Sequence, residues 1–309
     1  MESLNIPFID LSEQNTSLLS MEVVNACKEW GFFMVKNHGI DIEQMEGVFK
    51  VSDEFFNLPV EEKKHFLFKG GELQAGYSIR MGEKLYSDDP STGAVKEFYD
   101  LARFPHSNPS VISPPIRKFL PEMTLFQKQC YSLSLKLLDL IALGFELPSD
   151  FFTKCHSSAE DFIRLIKYSV PEGMEHKKDD VDTDCHFDYG TITLLIQRKY
   201  GFLQIKPPGG NIIPDWVRVS FDKDVISVNI ADMLPFLTRG KVKSSIHQVK
   251  IDPEMRKGQM IAYSAIPDLD YPLTQMSDEQ DGKNAETTTV REYKEKRLND
   301  SQAQDDAPT

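Results

Sequence analysis

Residues 184–195 read Asp184-Cys185-His186-Phe187-Asp188-Tyr189-Gly190-Thr191-Ile192-Thr193-Leu194-Leu195. Side chains two positions apart on an extended strand point to the same face, so His186 and Asp188 can present an imidazole and a carboxylate to one point. A second strand, further along the chain, can bring His247 to the same point. These three residues therefore form a candidate set of metal ligands.

The chemistry of such a set depends on how many coordination positions of the bound metal ion it leaves open. Two histidines and one carboxylate form a facial triad, with which non-haem Fe(II) oxygenases bind substrate and dioxygen side by side. A structural alternative also fits the three residues alone: His186 would lie in a surface loop, and His247 would hydrogen-bond a backbone carbonyl. No GxGxxG, GxxxxGK[ST] or GxSxG motif occurs, so nucleotide binding and a hydrolase nucleophile have no support.

The sequence around the candidate ligands predicts a fold with many short strands. Turn residues separate β-rich runs at residues 162–170, 191–197, 202–205, 224–229, 244–251 and 259–266. This pattern favours a sandwich, barrel or jelly roll over parallel βαβ units. Upstream, apolar residues recur at helical spacing from about Pro115 to Leu143, which predicts a long helix packed on the core.

The two ends of the chain differ in character. At the N-terminal end, residues 6–11 and 32–35 read as strands, and residues 20–30 and 42–56 have helical spacing. Residues 71–112 are rich in glycine and proline, which predicts turns. Beyond residue 274 the chain is polar, and we expect one short helix over residues 290–298, followed by disorder.

The charge balance excludes several kinds of partner. Lys and Arg number 35 against 48 Asp and Glu, which gives a formal net charge of −13. Nucleic acids and polybasic membrane anchors need positive charge facing phosphates, so we expect neither nucleic acid nor membrane as a partner. Four scattered cysteines without a CxxC pair indicate reduced thiols, and no secretory signal is recognisable. We therefore expect a cytoplasmic protein, with access to the nucleus left open.

Several blocks, in the same order along the chain, resemble the iron- and 2-oxoglutarate-dependent dioxygenases. The stretch quoted above resembles the family's first metal motif. A block that resembles the family's strand, bend and distal histidine follows at residues 228–234 and 240–249. Segments that resemble landmarks of the family's N-terminal lobe lie at residues 6–11, 30–40, 55–59, 76–77 and 96–98. The resemblance covers about residues 5–270. It points to the branch that includes isopenicillin N synthase and the plant hormone and flavonoid oxidases.

The resemblance implies an α+β fold with a double-stranded β-helix (jelly roll) core, an N-terminal α/β lobe and a long buttressing helix. We place the boundaries as follows: an N-terminal dioxygenase lobe at 1–112, the supporting helix at 113–150, the Fe(II)-dependent dioxygenase core at 158–270 and a polar tail at 273–309.

The resemblance also implies an activity. His186, Asp188 and His247 would bind Fe(II), with 2-oxoglutarate as cosubstrate and ascorbate as a candidate reductant. The expected function is that of a dioxygenase, an oxidoreductase that hydroxylates or desaturates a small molecule with O2. We expect the protein to be a monomer.

One block departs from the family pattern. Members usually carry Arg-x-Ser on the strand after the distal histidine, where the Arg pairs bidentately with the far carboxylate of 2-oxoglutarate. The matching residues here are Gly258-Gln259-Met260. Arg256, on the same face if the strand is regular, is a candidate replacement, and Tyr168 resembles a family tyrosine that helps to bind the cosubstrate. The alternatives are an oxidase-like enzyme that takes all electrons from its substrate, and an iron-binding member that has lost catalysis.

Overall fold

The computed structural model of the chain describes residues 5–69, 75–81, 84–85, 95–102, 112–170, 183–198, 202–207, 216–250, 256–277 and 285–296. The helices in these residues are α1 (Thr16–Glu29), α2 (Ile42–Phe56), α3 (Val60–Lys64), α4 (Pro114–Lys118), α5 (Leu120–Gly144) and α6 (Met233–Leu237). Two 3₁₀ helices lie at Ser149–Phe151 and Thr153–Cys155, and residues 290–296 are also helical. The strands are β1 (Phe8–Asp10), β2 (Phe32–Lys36), β3 (Ala75–Met81), β4 (Lys84–Leu85), β5 (Val95–Ala102), β6 (Phe162–Ser169), β7 (Thr183–His186), β8 (Ile192–Arg198), β9 (Leu203–Ile205), β10 (Val217–Arg218), β11 (Ile226–Ile230), β12 (His247–Val249), β13 (Lys257–Ala265), β14 (Pro272–Thr274) and β15 (Thr287–Thr289).

Two sheets form the core of the described part of the chain. The large sheet has the strand order β1-β2-β11-β8-β13-β6-β5-β3-β4, and the small sheet has the order β10-β9-β12-β7. The sheets pack face to face, because one buried apolar cluster takes side chains from both of them: Phe32, Ile166, Leu195 and Met260 from the large sheet, and Leu203, Ile205 and Val249 from the small one. This is the predicted jelly roll, and the α+β fold class is confirmed.

Helices cover the other face of the large sheet. Helix α5 contacts α1, α2 and β13, and it buries the stripe that its spacing predicts: Met123, Phe126, Cys130, Leu133, Leu137 and Leu140. The spacing predicts a single helix from about Pro115, whereas the structure divides it at Phe119 into α4 and α5. Pro121 explains the division, because in a continuous helix it could not donate to the carbonyl of Arg117, four residues before it, and its ring would clash with that carbonyl.

Strand β5 lies in the segment for which the sequence predicts turns. It pairs with β6 along its whole length and with β3 on its other edge. The apolar alternation of a strand is hidden here because two of its buried positions, one on each face, are charged. Glu97 is buried against Lys63, and Asp100 is buried against Arg164.

The N-terminal strands extend the large sheet on both sides. β2 pairs with β11 at one side, and β5 pairs with β6 at the other. The four domain boundaries stay predictions. In the tail, β14 pairs with β15, and residues 290–296 are helical, in agreement with the predicted short helix. The disorder expected after residue 298 concerns residues outside the described part.

Candidate metal centre

The three candidate ligands converge at one end of the small sheet. His186 is the last residue of β7, His247 is the first residue of β12, and the two are register partners in the antiparallel pair. The Nε2 atoms of His186 and His247 lie 3.7 and 3.8 Å from Oδ1 of Asp188. The ligand atoms of all three residues lie within 4.8 Å of one another, which makes them a candidate site for one metal ion. The predicted convergence is therefore confirmed.

The turn after Asp188 is held by backbone hydrogen bonds. The carbonyl groups of Asp188 and Gly190 accept from the N–H groups of Asp232 and Met233, at 3.0 and 2.8 Å. Gly190 has a φ of 100°, and a Cβ atom there would lie 2.6 Å from the carbonyl oxygen of Ala265. Only glycine fits this turn, which places Asp188 beside the two histidines.

Asn229 orients the carboxylate. Its Nδ2 donates to Oδ2 of Asp188 at 2.7 Å and lies 3.4 Å from Nδ1 of His247. The contact leaves Oδ1 of Asp188 facing the histidines. Sequence reasoning did not assign Asn229 a role in the site. The signal that could have identified Asn229 is its polarity, because it lies within β11, a strand whose residues are all buried.

The electrostatics of the site favour an ionised carboxylate. Burial alone raises the pKa of Asp188, but the imidazoles of His247 and His186 and hydrogen bonds from Asn229 and Thr193 bring the pKa below its ordinary value. The side chain of His186 is 44% exposed, that of Asp188 is 18% exposed and that of His247 is 4% exposed. The site therefore opens to solvent on the side of His186.

The position of the missing arginine is filled by an aromatic ring. Gly258 is the register partner of the buried Tyr168, and a Cβ atom at Gly258 would lie 2.9 Å from Cε1 of Phe202. The rings of Phe202 and Tyr168 meet edge to face, with centroids 5.8 Å apart. Met260, at the position of the family serine, is buried in the same apolar cluster.

Arg256 lies just before β13 rather than on it. Its φ of 52° breaks the extended backbone, so the alternation that would place it on the same face as Gly258 does not hold at this residue. Its carbonyl oxygen accepts a hydrogen bond from the N–H of Val170 at 2.9 Å. The role of Arg256 at the cosubstrate stays a prediction.

Two further cations face the interior near Tyr168, Arg164 on the same strand and Lys96 on the neighbouring β5, and sequence reasoning did not single them out. Arg164 donates to Asp100 through Nε at 2.6 Å and through Nη2 at 2.8 Å. Burial lowers the pKa of Arg164, but the charge of Asp100 outweighs it and raises the pKa overall. Lys96 places its Nζ atom 5.8 Å from the centroid of the Tyr168 ring.

Two family models match the chain. Residues 6–120 match the one described as "non-haem dioxygenase in morphine synthesis N-terminal", and residues 160–261 match the one described as "2OG-Fe(II) oxygenase superfamily". A UPF0676 protein of Schizosaccharomyces pombe is 48% identical over 299 residues, which cover 97% of this chain and 93% of the relative. A flavonol synthase/flavanone 3-hydroxylase of Matthiola incana is 26% identical, with coverage of 93% and 96%.

Solved structures share the fold. A full-length Neurospora crassa protein, crystallised with alpha-KG and thymine, superposes with a TM-score of 0.79 at 24% identity and covers 96% of this chain and 97% of its own. The dioxygenase for auxin oxidation 1 from Arabidopsis thaliana, in its 2-oxoglutarate complex, has a TM-score of 0.71 at 20% identity, with coverage of 91% and 98%. Across the described ranges, no helix is long and apolar enough to cross a membrane.

Proposed function

The chain belongs to the 2OG-Fe(II) oxygenase superfamily, and from this premise we propose that His186, Asp188 and His247 hold the Fe(II) of its active site. It is an Fe(II)- and 2-oxoglutarate-dependent oxidoreductase that oxidises a small molecule with O2. The observation that carries the ligand assignment is the convergence of the three side chains from β7, the following turn and β12.

The donor set fits a divalent first-row metal. Imidazole nitrogen and carboxylate oxygen suit such ions, and each lies about 2.0–2.2 Å from the metal. Two atoms at that distance from one ion are at most about 4.4 Å apart. The two nitrogen–oxygen separations of 3.7 and 3.8 Å meet this limit.

Each residue then has a separate task. Bound Fe(II) supplies the dioxygen chemistry, with 2-oxoglutarate as the electron donor. Asp188 brings a negative charge, and Asn229 fixes its orientation through the 2.7 Å hydrogen bond. His247 closes the inner side of the site, where its burial excludes water, while the exposed His186 borders the opening. Phe187 and Tyr189, the neighbours of Asp188 in the chain, are each 37% exposed.

We propose Tyr168 and Arg256 as cosubstrate residues. The position of Tyr168 supports this role, because the residue lies in the interior, on the strand next to β13. For Arg256 the support is its charge, together with the hydrogen bond that its carbonyl accepts from Val170, two residues after Tyr168. One observation favours the oxidase-like alternative: Phe202 fills the space beside Gly258 that the family arginine would use.

Several finer features belong to the same proposal. The match of residues 6–120 to a non-haem dioxygenase N-terminal model supports the isopenicillin N synthase-like branch. The net charge of −13 supports the view that nucleic acid is not a substrate. We further propose a cytoplasmic monomer, with nuclear access left open, that uses ascorbate as a reductant.

An anaerobic titration tests the assignment. The protein loaded with Fe(II) is titrated with 2-oxoglutarate, and the charge-transfer absorbance of the chelate is recorded. We expect a saturable band for the wild-type protein and no iron binding for Asp188→Ala, with Asp150→Ala, an exposed aspartate on a 3₁₀ helix, as the matched control. An Asp188→Ala protein that keeps stoichiometric iron and turnover would contradict the ligand assignment. A wild-type protein that binds iron without developing the band would favour the oxidase-like or catalytically inactive alternative.

A further inference from the structure

Lys96, Tyr168 and Gly258 lie in one row across three neighbouring strands of the large sheet. Lys96 on β5 is the register partner of Tyr168 on β6, and Tyr168 is the partner of Gly258 on β13. The row faces the interior of the jelly roll, because Tyr168 belongs to the apolar cluster between the two sheets. The next residue, Glu97, points to the opposite face, where it pairs with Lys63.

The side chain of Lys96 leans along this row. Its Nζ atom lies 5.8 Å from the centroid of the Tyr168 ring and 5.7 Å from the centroid of the Phe98 ring. Neighbouring strands are about 4.8 Å apart, so the backbones of Lys96 and Gly258 are separated by roughly 10 Å. The ammonium group of Lys96, which lies over β6, therefore extends from β5 toward Gly258, where the family arginine is missing.

We propose that Lys96 supplies the cation that binds the distal carboxylate of 2-oxoglutarate, in place of the arginine absent at position 258. The inference rests on the proposed function and adds a residue to its cosubstrate site. A hydrogen bond between an ammonium and a carboxylate is strengthened in surroundings of low polarity, which the rings of Tyr168 and Phe98 provide. Phe202 occupies the space beside Gly258, so a long side chain on β13 would meet its ring there, whereas Lys96 enters the row from β5.

Two other cations near this row suit the role less well. Arg164 lies four residues before Tyr168 on β6, where its register partner is Ala262 rather than Gly258, and Asp100 holds its guanidinium at two nitrogens. Arg256 lies before β13 on backbone with a φ of 52°, and the register does not direct it into the interior. Lys96 has both the charge and the register position beside Tyr168.

The binding of 2-oxoglutarate to the anaerobic Fe(II)-loaded protein tests this inference. We expect Lys96→Gln to raise the Kd, read from the chelate absorbance, by roughly tenfold to a hundredfold, the effect of losing a hydrogen bond to a charged group. Lys96→Arg should keep most of the affinity, because the charge is retained. The affinity for Fe(II) itself should not change, since Lys96 is not part of the triad.

Lys167→Gln is the matched control. Lys167 lies on β6 in the adjacent row, between Glu97 and Gln259, and so on the opposite face of the sheet. A Kd for Lys96→Gln within twofold of the wild-type value would overturn the inference, as would an equal loss in Lys167→Gln. If Lys96→Gln does not fold, as judged by its thermal melt without cosubstrate, Lys96→Met and Lys96→Arg take its place. Absence of the chelate band in the wild-type protein would overturn the proposed function, and this inference with it.

Discussion

Asn229 donates a hydrogen bond of 2.7 Å from its Nδ2 to Oδ2 of Asp188. Asn229 is fully buried on β11, whereas Asp188 lies in the turn after β7, so the bond joins the large sheet to the end of the small one. It fixes which carboxylate oxygen faces the two histidines. Removing a residue that orients a metal ligand commonly weakens metal binding by about 10- to 100-fold. This corresponds to the free energy of about one to two hydrogen bonds.

Asn229→Ala is therefore expected to weaken metal binding by roughly 10- to 100-fold while leaving the protein folded. The measurement is a calorimetric titration of the metal-free protein with Mn(II), a stand-in for Fe(II) that air does not oxidise. Ser227→Ala is the control, because Ser227 is also buried and lies two residues earlier on the same face of β11. Equal affinities for the Asn229→Ala and wild-type proteins would show that the turn alone orients Asp188.

Restoring the family arginine should not restore cosubstrate affinity by itself. In Gly258→Arg the new Cβ atom would meet the Phe202 ring at 2.9 Å, and overpacking of this kind costs about 1–3 kcal/mol. We expect a lower midpoint of urea unfolding and no gain in 2-oxoglutarate binding. The double variant Gly258→Arg/Phe202→Ala makes room for the side chain and should bind 2-oxoglutarate more tightly than either single variant. A gain in Gly258→Arg alone would show that the ring moves aside.

Asp161 gives the stability a predictable dependence on pH. Burial raises its pKa from 3.8 to about 7, although the hydroxyl of Tyr263 and the N–H of Ile266 donate to it, and the charges of Asp268 and Glu160 act in the same direction as burial. Between these two pKa values the folded protein holds a proton that the unfolded chain has lost. The stabilisation of the folded protein by this proton is complete below about pH 4 and is lost as the pH rises through about 7.

Asp161→Asn should remove this part of the pH dependence. Its amide can still donate to the Tyr263 oxygen and accept from the N–H of Ile266, so the contacts are kept without a titrating group. The free energy of unfolding, measured in urea at intervals from pH 5 to pH 8, should fall less steeply than in the wild-type protein. Parallel curves for the two proteins would contradict the raised pKa.

The buried pair of Lys63 and Glu97 predicts a large loss of stability from a single substitution. Lys63 also donates to the carbonyl of Phe56 at 3.2 Å, and the hydroxyl of Tyr77 donates to the same Glu97 oxygen at 2.6 Å. Lys63→Met would leave a carboxylate buried without its cation, which costs about 3–5 kcal/mol. The double variant Lys63→Met/Glu97→Gln should recover part of that loss in urea unfolding. A double variant as unstable as Lys63→Met would contradict this account.

The parts of the fold that the sequence predicted depend on local pattern. Helix α2 has the predicted bounds because apolar spacing, the Asp41 cap and the Leu58–Pro59 step all act within a few residues. The meeting of His186 and Asp188 with His247 followed from strand alternation and from a motif. In contrast, β5 was missed because Glu97 and Asp100 occupy buried positions on opposite faces of the strand, where their charges are compensated by residues distant in the chain. The contacts of Asn229 and of Phe202 are likewise long-range, and no local pattern carries them.

The strand order of the large sheet has a consequence for how the chain acquires its structure. Strands from the first 102 residues stand at both margins of the sheet, and the four strands between them come from residues 162–265. During synthesis the marginal strands emerge first and can pair only among themselves, β1 with β2 and β3 with β4 and β5, until the later half supplies β11 and β6. A chain cut between residues 112 and 158 would expose the edges of β11 and β6, which invite pairing with other molecules. The two matched family segments are therefore expected to fold and unfold as one cooperative unit, at the slow rate set by distant contacts.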